Sequence, residues 1–184
     1  PTIFSTARIS LRLGPGSRDT LPPREPAPEG HKITEVDTEV FYSSLAKLGY
    51  NYADMFKSIT NLSRRSLAAS GQINSAGETG YETDLIVHPA PLDVAFQGLF
   101  CAIGAPGDGQ LWTLMVPTVI RNIKVNPVTC NQTSCLGTDL MFDAKVQLGE
   151  SRQQVSGDID VYDTEGNALL QIEGLEVTSV VQIT

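Results

Sequence analysis

His88-Pro89-Ala90-Pro91-Leu92-Asp93-Val94-Ala95-Phe96-Gln97-Gly98-Leu99-Phe100-Cys101-Ala102-Ile103 is the stretch on which the fold of this chain depends. It predicts a helix over residues 90–104, because Pro91 suits a first helical position and Gly104 suits a C-terminal stop. Nearly every residue between them is apolar, whichever side of the helix it lies on. A helix that is apolar all round is buried in a protein core.

Two polar side chains, Asp93 and Gln97, interrupt this apolar helix four residues apart, so they share one face. A buried carboxyl group has a raised pKa, and a carboxylic acid that stays protonated near neutral pH is a general acid. The same spacing also fits a structural role. Asp93 lies in the first turn, where it would favour the helix dipole, and Gln97 could bond a neighbouring strand. Spacing alone leaves both interpretations open.

Composition narrows the class of protein. The chain has 184 residues, of which 41% are hydrophobic and 18% charged, as in a globular domain. A net charge of −8 argues against nucleic acid and against an anionic membrane surface as partners. No apolar run reaches the roughly 20 residues of a membrane helix. The three cysteines lack metal-site spacing, and their odd number without a secretory signal predicts a reducing, cytoplasmic location.

The chain divides into three parts by pattern. Residues 1–13 alternate in polarity, which predicts the last strand of a preceding unit. Residues 14–33 are dense in proline and charge, which predicts an extended, poorly packed linker. Residues 34–184 should form the folded unit. In it we expect a capped helix over 37–48 and strands over 58–63, 66–73, 83–88, 111–125, 136–148, 155–162 and 168–177. Pro117 should mark a bulge or kink, and residues 131–134 a loop.

Many strands and one buried helix predict an α+β domain in which an antiparallel sheet packs on that helix. Three segments then resemble polyketide synthase dehydratase domains, especially those of fungal highly reducing synthases. They are His88-Pro89-Ala90-Pro91-Leu92-Asp93 with Gln97, Phe41-Tyr42-Ser43-Ser44-Leu45-Ala46-Lys47-Leu48-Gly49-Tyr50-Asn51-Tyr52, and Val116-Pro117-Thr118-Val119-Ile120. The resemblance covers residues from about 34 to the end. Where that family has Y-G-P-x-F, this chain has Tyr52-Ala53-Asp54-Met55-Phe56.

The resemblance implies a hot-dog fold, an antiparallel sheet wrapped around a central helix. The family pairs two such halves, and residues 34–184 would be the C-terminal half. It also implies the chemistry, removal of water from a 3-hydroxyacyl thioester carried on the phosphopantetheine of an acyl carrier protein. No metal and no cofactor of the domain itself is expected. The implied partners are that carrier, the N-terminal half, other domains of the synthase and a second copy of the whole synthase.

By the same resemblance Asp93 is the general acid and Gln97 orients it. Tyr52, Phe56 and Pro117 would bind substrate, whereas His88 and Pro89 would be structural residues near the site. The proton-abstracting His belongs to an HxxxGxxxxP motif of the first half. This chain has only His31 and His88, neither in that motif, so we expect half an active site.

Two alternatives stay open. One is a product-template domain, a related double hot-dog that steers cyclisation with a similar His/Asp pair. The other is a non-catalytic hot-dog module for structure or carrier docking. The segment over residues 41–52 favours the dehydratase over the product-template domain.

Overall fold

The computed structural model describes residues 3–24, 32–74, 85–133, 138–147, 149 and 153–180, with the backbone alone at 131–133. The helices are α1 (Thr38–Lys47), α2 (Pro89–Ile103) and α3 (Pro127–Thr133). The strands are β1 (Thr34–Glu35), β2 (Ile59–Arg65), β3 (Ala68–Asn74), β4 (Met115–Val125), β5 (Asp139–Gln147), β6 (Gln154–Tyr162) and β7 (Ala168–Ser179). Within the described ranges no helix has both the length and the apolar character needed to cross a membrane.

All seven strands join one sheet in the order β1-β2-β3-β5-β6-β7-β4, and each neighbouring pair is antiparallel. The central helix α2 packs mainly on β3 and β5, and also on β2 and β6. Alternate residues of β5, including Leu140, Phe142 and Ala144, are buried against it. The predicted α+β architecture, a sheet packed around one buried helix, is confirmed.

Helix α2 begins one residue earlier than predicted. Pro89, and not Pro91, occupies the first helical position, where a missing N–H costs nothing. The buried His88 precedes it, and its Nδ1 accepts a hydrogen bond of 3.1 Å from the Ala90 N–H. His88 is therefore the N-cap of the helix.

The C-terminal end of α2 is at Gly104, as predicted, but for a different reason. Its backbone is extended, with φ −163°, so no left-handed conformation requires glycine there. A Cβ at this position would lie 2.6 Å from Oδ1 of Asp108, whose carboxylate also accepts from the Ala105 N–H. Close approach of the following loop, not backbone conformation, excludes a side chain.

Helix α1 matches its prediction closely. Oδ1 of Asp37 accepts from the N–H groups of Glu39 and Val40, which caps the first turn. Gly49, just beyond the helix, has φ +103°, a conformation that glycine adopts without strain. The buried face of α1 is made by Phe41, Tyr42 and Leu45.

Close packing between α2 and the sheet depends on two glycines. The fully buried ring of Phe142 on β5 lies between Gly98 of α2 and Gly71 of β3. A Cβ on Gly98 would lie 2.3 Å from Cε2 of Phe142, and one on Gly71 would lie 2.5 Å from the same ring. The ring thus fills the space that the two missing side chains leave.

We expect Gly98→Ala to destabilise the protein, because overpacking costs about 1–3 kcal/mol. The higher helix propensity of alanine offsets only about 0.8–1 kcal/mol of that cost. Urea unfolding measures the difference. Gly149→Ala is the control, because among the described residues the atom nearest to an added Cβ would be 3.8 Å away. It should change stability by less than about 0.5 kcal/mol. Equal stability of wild type and Gly98→Ala would contradict this packing.

Most strand predictions are met within a few residues. The register of β4 on β7 shifts between Pro117 and Val119, which is the predicted bulge. The predicted hairpin is formed by β6 and β7. The predicted strand over residues 83–88 is wrong in its described part, because residues 85–88 adopt no strand. The predicted loop at 131–134 is wrong over 131–133, where α3 ends; residue 134 lies outside the described residues.

Residues 3–13 form no strand in this structure, and their apolar side chains are exposed, Leu13 by 90%. Backbone groups of a strand need a neighbouring strand as partner. Among the described residues the segment 3–13 has no partner strand, and the place of residues 1–13 in a preceding half stays a prediction.

Residues 14–24 of the predicted linker are mostly exposed but contact the sheet at two residues, Leu21 and Arg24. Leu21 is buried beside Tyr162 and Ala168. The Arg24 guanidinium donates to both carboxylate oxygens of Asp143, at 2.9 and 2.8 Å. Bidentate pairing of this kind is geometrically specific. The segment is thus attached to the outer face of the sheet; residues 25–31 of the predicted linker lie outside the described residues.

Candidate active site

Helix α2 brings Asp93 and Gln97 into direct contact. Nε2 of Gln97 donates a hydrogen bond of 3.1 Å to Oδ2 of Asp93. The same nitrogen donates to the backbone oxygen of Phe56 at 2.9 Å. Gln97 is completely buried, whereas Asp93 is half-buried. The spacing of four residues therefore produces the pair that the sequence indicated.

The environment of Asp93 favours its protonated form. Burial raises the pKa of this carboxyl group, and the hydrogen bond from Gln97 opposes the rise. Oδ1 of Asp93 accepts or donates no hydrogen bond within the part of the chain that the structure describes. Asp93 is thus a carboxyl group with a raised pKa, and Gln97 engages one of its two oxygens.

Tyr42 completes the hydrogen bonds of Gln97, and the sequence analysis missed it. Its hydroxyl donates to Oε1 of Gln97 at 3.1 Å and accepts from the Ile59 N–H at 3.2 Å. In the sequence it belongs to the apolar stripe of α1. The signal that could have identified it is a phenol on a face otherwise made of Phe41 and Leu45, because a buried hydroxyl needs a partner.

Tyr52 lies in the same cluster. Its ring stacks on Tyr50 at 5.7 Å and meets Tyr42 edge-on at 6.4 Å. Burial raises the pKa of Tyr52, and the negative charge of Asp93 raises it further. The Tyr52 phenol therefore stays neutral beside the carboxyl group.

Phe56 enters the site through its backbone. Its side chain is 38% exposed, and its carbonyl oxygen is the acceptor for Gln97. A short 3-10 turn over Asp54–Phe56 places that oxygen, and Asp54 in it has φ +50°. Proline fixes φ near −65°, so the Gly-Pro pair of the resembled motif could not make this turn. In this chain Ala53 and Asp54, which replace the Gly-Pro pair, form the turn.

The remaining predicted residues lie around the helix start and on β4. His88 is the buried N-cap described above, and Pro89 is exposed at the first helical position. Pro117 is exposed on β4, and no contact recorded among the described residues joins it to Asp93.

Two recesses of about 560 and about 1000 Å³ lie elsewhere. The larger is lined by outward-facing side chains such as Arg24, Asp143 and Asp160. Neither recess is lined by Asp93 or Gln97. These two recesses are therefore separate from the half-buried Asp93 and the buried Gln97.

A family model described as "Polyketide synthase dehydratase N-terminal domain" matches residues 20–183. The chain belongs to the polyketide synthase dehydratase family. The resemblance inferred from the three segments is confirmed, and this membership does not favour the product-template or the non-catalytic alternative.

Relatives of this dehydratase chain are fungal multidomain synthases. It is 50% identical over 177 residues to the hybrid PKS-NRPS synthetase buaA of Petromyces alliaceus, which covers 96% of this chain and 4% of that protein. It is 37% identical over 181 residues to the highly reducing polyketide synthase aurA of Calcarisporium arbuscula, covering 98% of this chain and 7% of that protein. The chain thus spans a small part of the length of these relatives.

The fold matches that of solved dehydratase domains. The dehydratase domain of RzxB from Pseudomonas fluorescens superposes with a TM-score of 0.66 at 18% identity, over 79% of this chain and 50% of that one. The hot-dog fold is therefore confirmed, and the chain corresponds in extent to half of that domain. The family description names an N-terminal domain, whereas the order of motifs predicts the C-terminal half; the half is part of the proposal below.

Proposed function

We propose that this chain is the C-terminal half of a dehydratase domain that removes water from a 3-hydroxyacyl thioester. The observation that carries the proposal is the arrangement of Asp93, a half-buried carboxyl group with a raised pKa and one oxygen held by Gln97. Such a group is suited to protonating a leaving hydroxyl.

In the proposed reaction a base removes the proton from the α-carbon of the acyl chain. The electron pair of that C–H bond forms the double bond between the α- and β-carbons, and the bond from the β-carbon to its hydroxyl oxygen breaks. Asp93 donates its proton to that oxygen, so water leaves and Asp93 becomes a carboxylate. The hydrogen bond that Nε2 of Gln97 donates stabilises this carboxylate.

The base is proposed to be a histidine of the other hot-dog half. Within the described ranges this chain contributes only His88, and Nδ1 of His88 already accepts the N–H of Ala90 at the helix start. His31 lies outside the described residues. A base and an acid from two halves would flank the substrate from opposite sides.

The proposed substrate carrier is the phosphopantetheine arm of an acyl carrier protein, with no cofactor or metal held by the domain itself. Tyr52 and Phe56 are proposed to line the path of the acyl chain, and Pro117 to contact it once the other half is present. The remaining proposed partners are the other domains of the synthase and a second synthase copy. The odd number of cysteines supports a cytoplasmic, reducing location.

The test is turnover of a 3-hydroxyacyl thioester, followed as formation of the α,β-unsaturated thioester and loss of one water by mass. We expect the complete domain, containing both halves, to be active and residues 1–184 alone to be inactive, because the base lies outside this chain. Adding the separately produced other half should restore activity if the two associate. Turnover by residues 1–184 alone would refute the half-site proposal.

A further inference from the structure

The amide of Gln97 determines how Asp93 is held, because among the described residues Gln97 makes the only hydrogen bond to that carboxyl group. An amide can be placed either way round, exchanging its acceptor Oε1 with its donor Nε2. The backbone oxygen of Phe56 can only accept, so the atom that faces it must be Nε2. The same nitrogen then supplies the hydrogen bond to Asp93.

The Tyr42 hydroxyl imposes the same orientation from the other end of the amide. The Ile59 N–H donates to this hydroxyl, which leaves the hydroxyl hydrogen for Oε1 of Gln97. Each polar atom of Gln97 thus has a partner of the opposite kind. A reversed amide would set Oε1 against two other acceptors, the oxygen of Phe56 and Oδ2 of Asp93, in a completely buried position.

We propose that Tyr42 is a positioning residue of the dehydration: its hydroxyl holds the Gln97 amide so that Nε2 engages Oδ2 of Asp93, which leaves Oδ1 to carry the proton given to the substrate. A hydrogen-bond donor pointing at Oδ2 disfavours a proton on that oxygen, so the acidic proton is on Oδ1. The inference rests on the proposed function, in which Asp93 is the acid. Tyr42 acts through Gln97 and touches no reacting atom.

The groups around this relay keep Tyr42 a donor at assay pH. Burial raises the pKa of Tyr42 to about 12, with smaller contributions from the charges of Asp93 and Glu39. Nζ of Lys57 lies 5.4 Å from the Tyr42 ring centroid and is paired with Glu39 at 2.8 Å. Among the described residues the charge of Asp93 also raises the pKa of Tyr52, whose phenol therefore stays neutral too. Asp93 therefore sets the alkaline limb of activity.

The test is Tyr42→Phe in the complete dehydratase domain, measured as kcat, KM and the pH profile of kcat. We expect kcat to fall about tenfold, less than the about 10²-fold loss that a misplacement of about 1 Å can cause. KM should change little. The alkaline limb should move to higher pH, because weakening the Gln97 bond removes an interaction that lowers the pKa of Asp93.

Tyr50→Phe is the matched control. Like Tyr42→Phe, it removes a buried hydroxyl that makes two hydrogen bonds. The Tyr50 hydroxyl bonds the N–H and the carbonyl of Met115, and it contacts neither Gln97 nor Asp93. The control variant should lower stability as Tyr42→Phe does and leave the alkaline limb in place. A purely structural role of Tyr42 predicts that the two variants have the same pH profile.

A second variant tests the link itself. Gln97→Met keeps the volume but removes the amide, so it should shift the alkaline limb upwards, and Tyr42→Phe should add nothing in that background. An unshifted limb in folded Tyr42→Phe, or additive effects in the double variant, would overturn the positioning role. If Tyr42→Phe does not fold, an unshifted limb in Gln97→Met overturns it equally. Full activity of Asp93→Asn would instead refute the proposed function.

Discussion

Replacing Asp93 with asparagine in the complete dehydratase domain should lower the dehydration rate by about 10²–10⁴-fold, the usual cost of losing a general acid. Asparagine is close in shape to a protonated aspartic acid, so Nε2 of Gln97 retains an oxygen to which it donates. The substituted amide has no acidic proton for the β-hydroxyl group. The fold should therefore persist while the leaving group departs unassisted.

The matched control is Asp160→Asn. Burial raises the pKa of Asp160 as it does that of Asp93, but Asp160 lies on the outer face of the sheet, in the recess beside Arg24 and Asp143. Its substitution should leave the dehydration rate near that of wild type. Thermal unfolding of both variants checks that they fold. A wild-type dehydration rate in folded Asp93→Asn would refute the assignment of Asp93 as the general acid.

The pH profile of the wild-type domain gives an independent check on the same group. An acid acts while protonated, so activity should fall as the pH rises through the pKa of Asp93. Because burial raises that pKa, the fall should occur above the range of an ordinary aspartate. This alkaline limb should be absent from the residual activity of Asp93→Asn.

Truncating Leu99 to alanine should destabilise the domain by about 2–5 kcal/mol, because it leaves a cavity in a packed core. Leu99 has no exposed surface, and its Cδ1 lies 2.4 Å from where a Cβ of Gly157 on β6 would be. The backbone of β6 is therefore tightly packed against this side chain. Such packing leaves little freedom for the surroundings to collapse into the cavity.

Urea unfolding of the complete domain measures the effect of Leu99→Ala, with the midpoint and slope compared to wild type. Val40→Ala on α1 is the control, because its side chain is 54% exposed and its truncation should cost less than about 0.5 kcal/mol. Equal stability of Leu99→Ala and Val40→Ala would mean that α2 is not the core of this fold.

The sequence by itself determined the elements whose signals are local. Apolar residues on every side of α2 identified the buried helix, and the spacing of Asp93 and Gln97 identified the contact between them, because residues four apart meet on any α-helix. The helix expected over residues 37–48 corresponds to α1, and the strand expected over 136–148 corresponds to β5. These features depend on helix and strand geometry within one segment.

Tertiary structure alone decided the contacts between distant segments. Tyr42 bonds Gln97 across 55 residues, and Arg24 pairs with Asp143 across 119. The left-handed Asp54 turns the Phe56 oxygen toward Gln97, which the resembled Gly-Pro motif did not predict. Periodicity shows which face of an element is buried but not which side chain of another element meets it. The residues that orient Asp93 therefore became visible only once α1, α2 and the turn over Asp54–Phe56 were packed together.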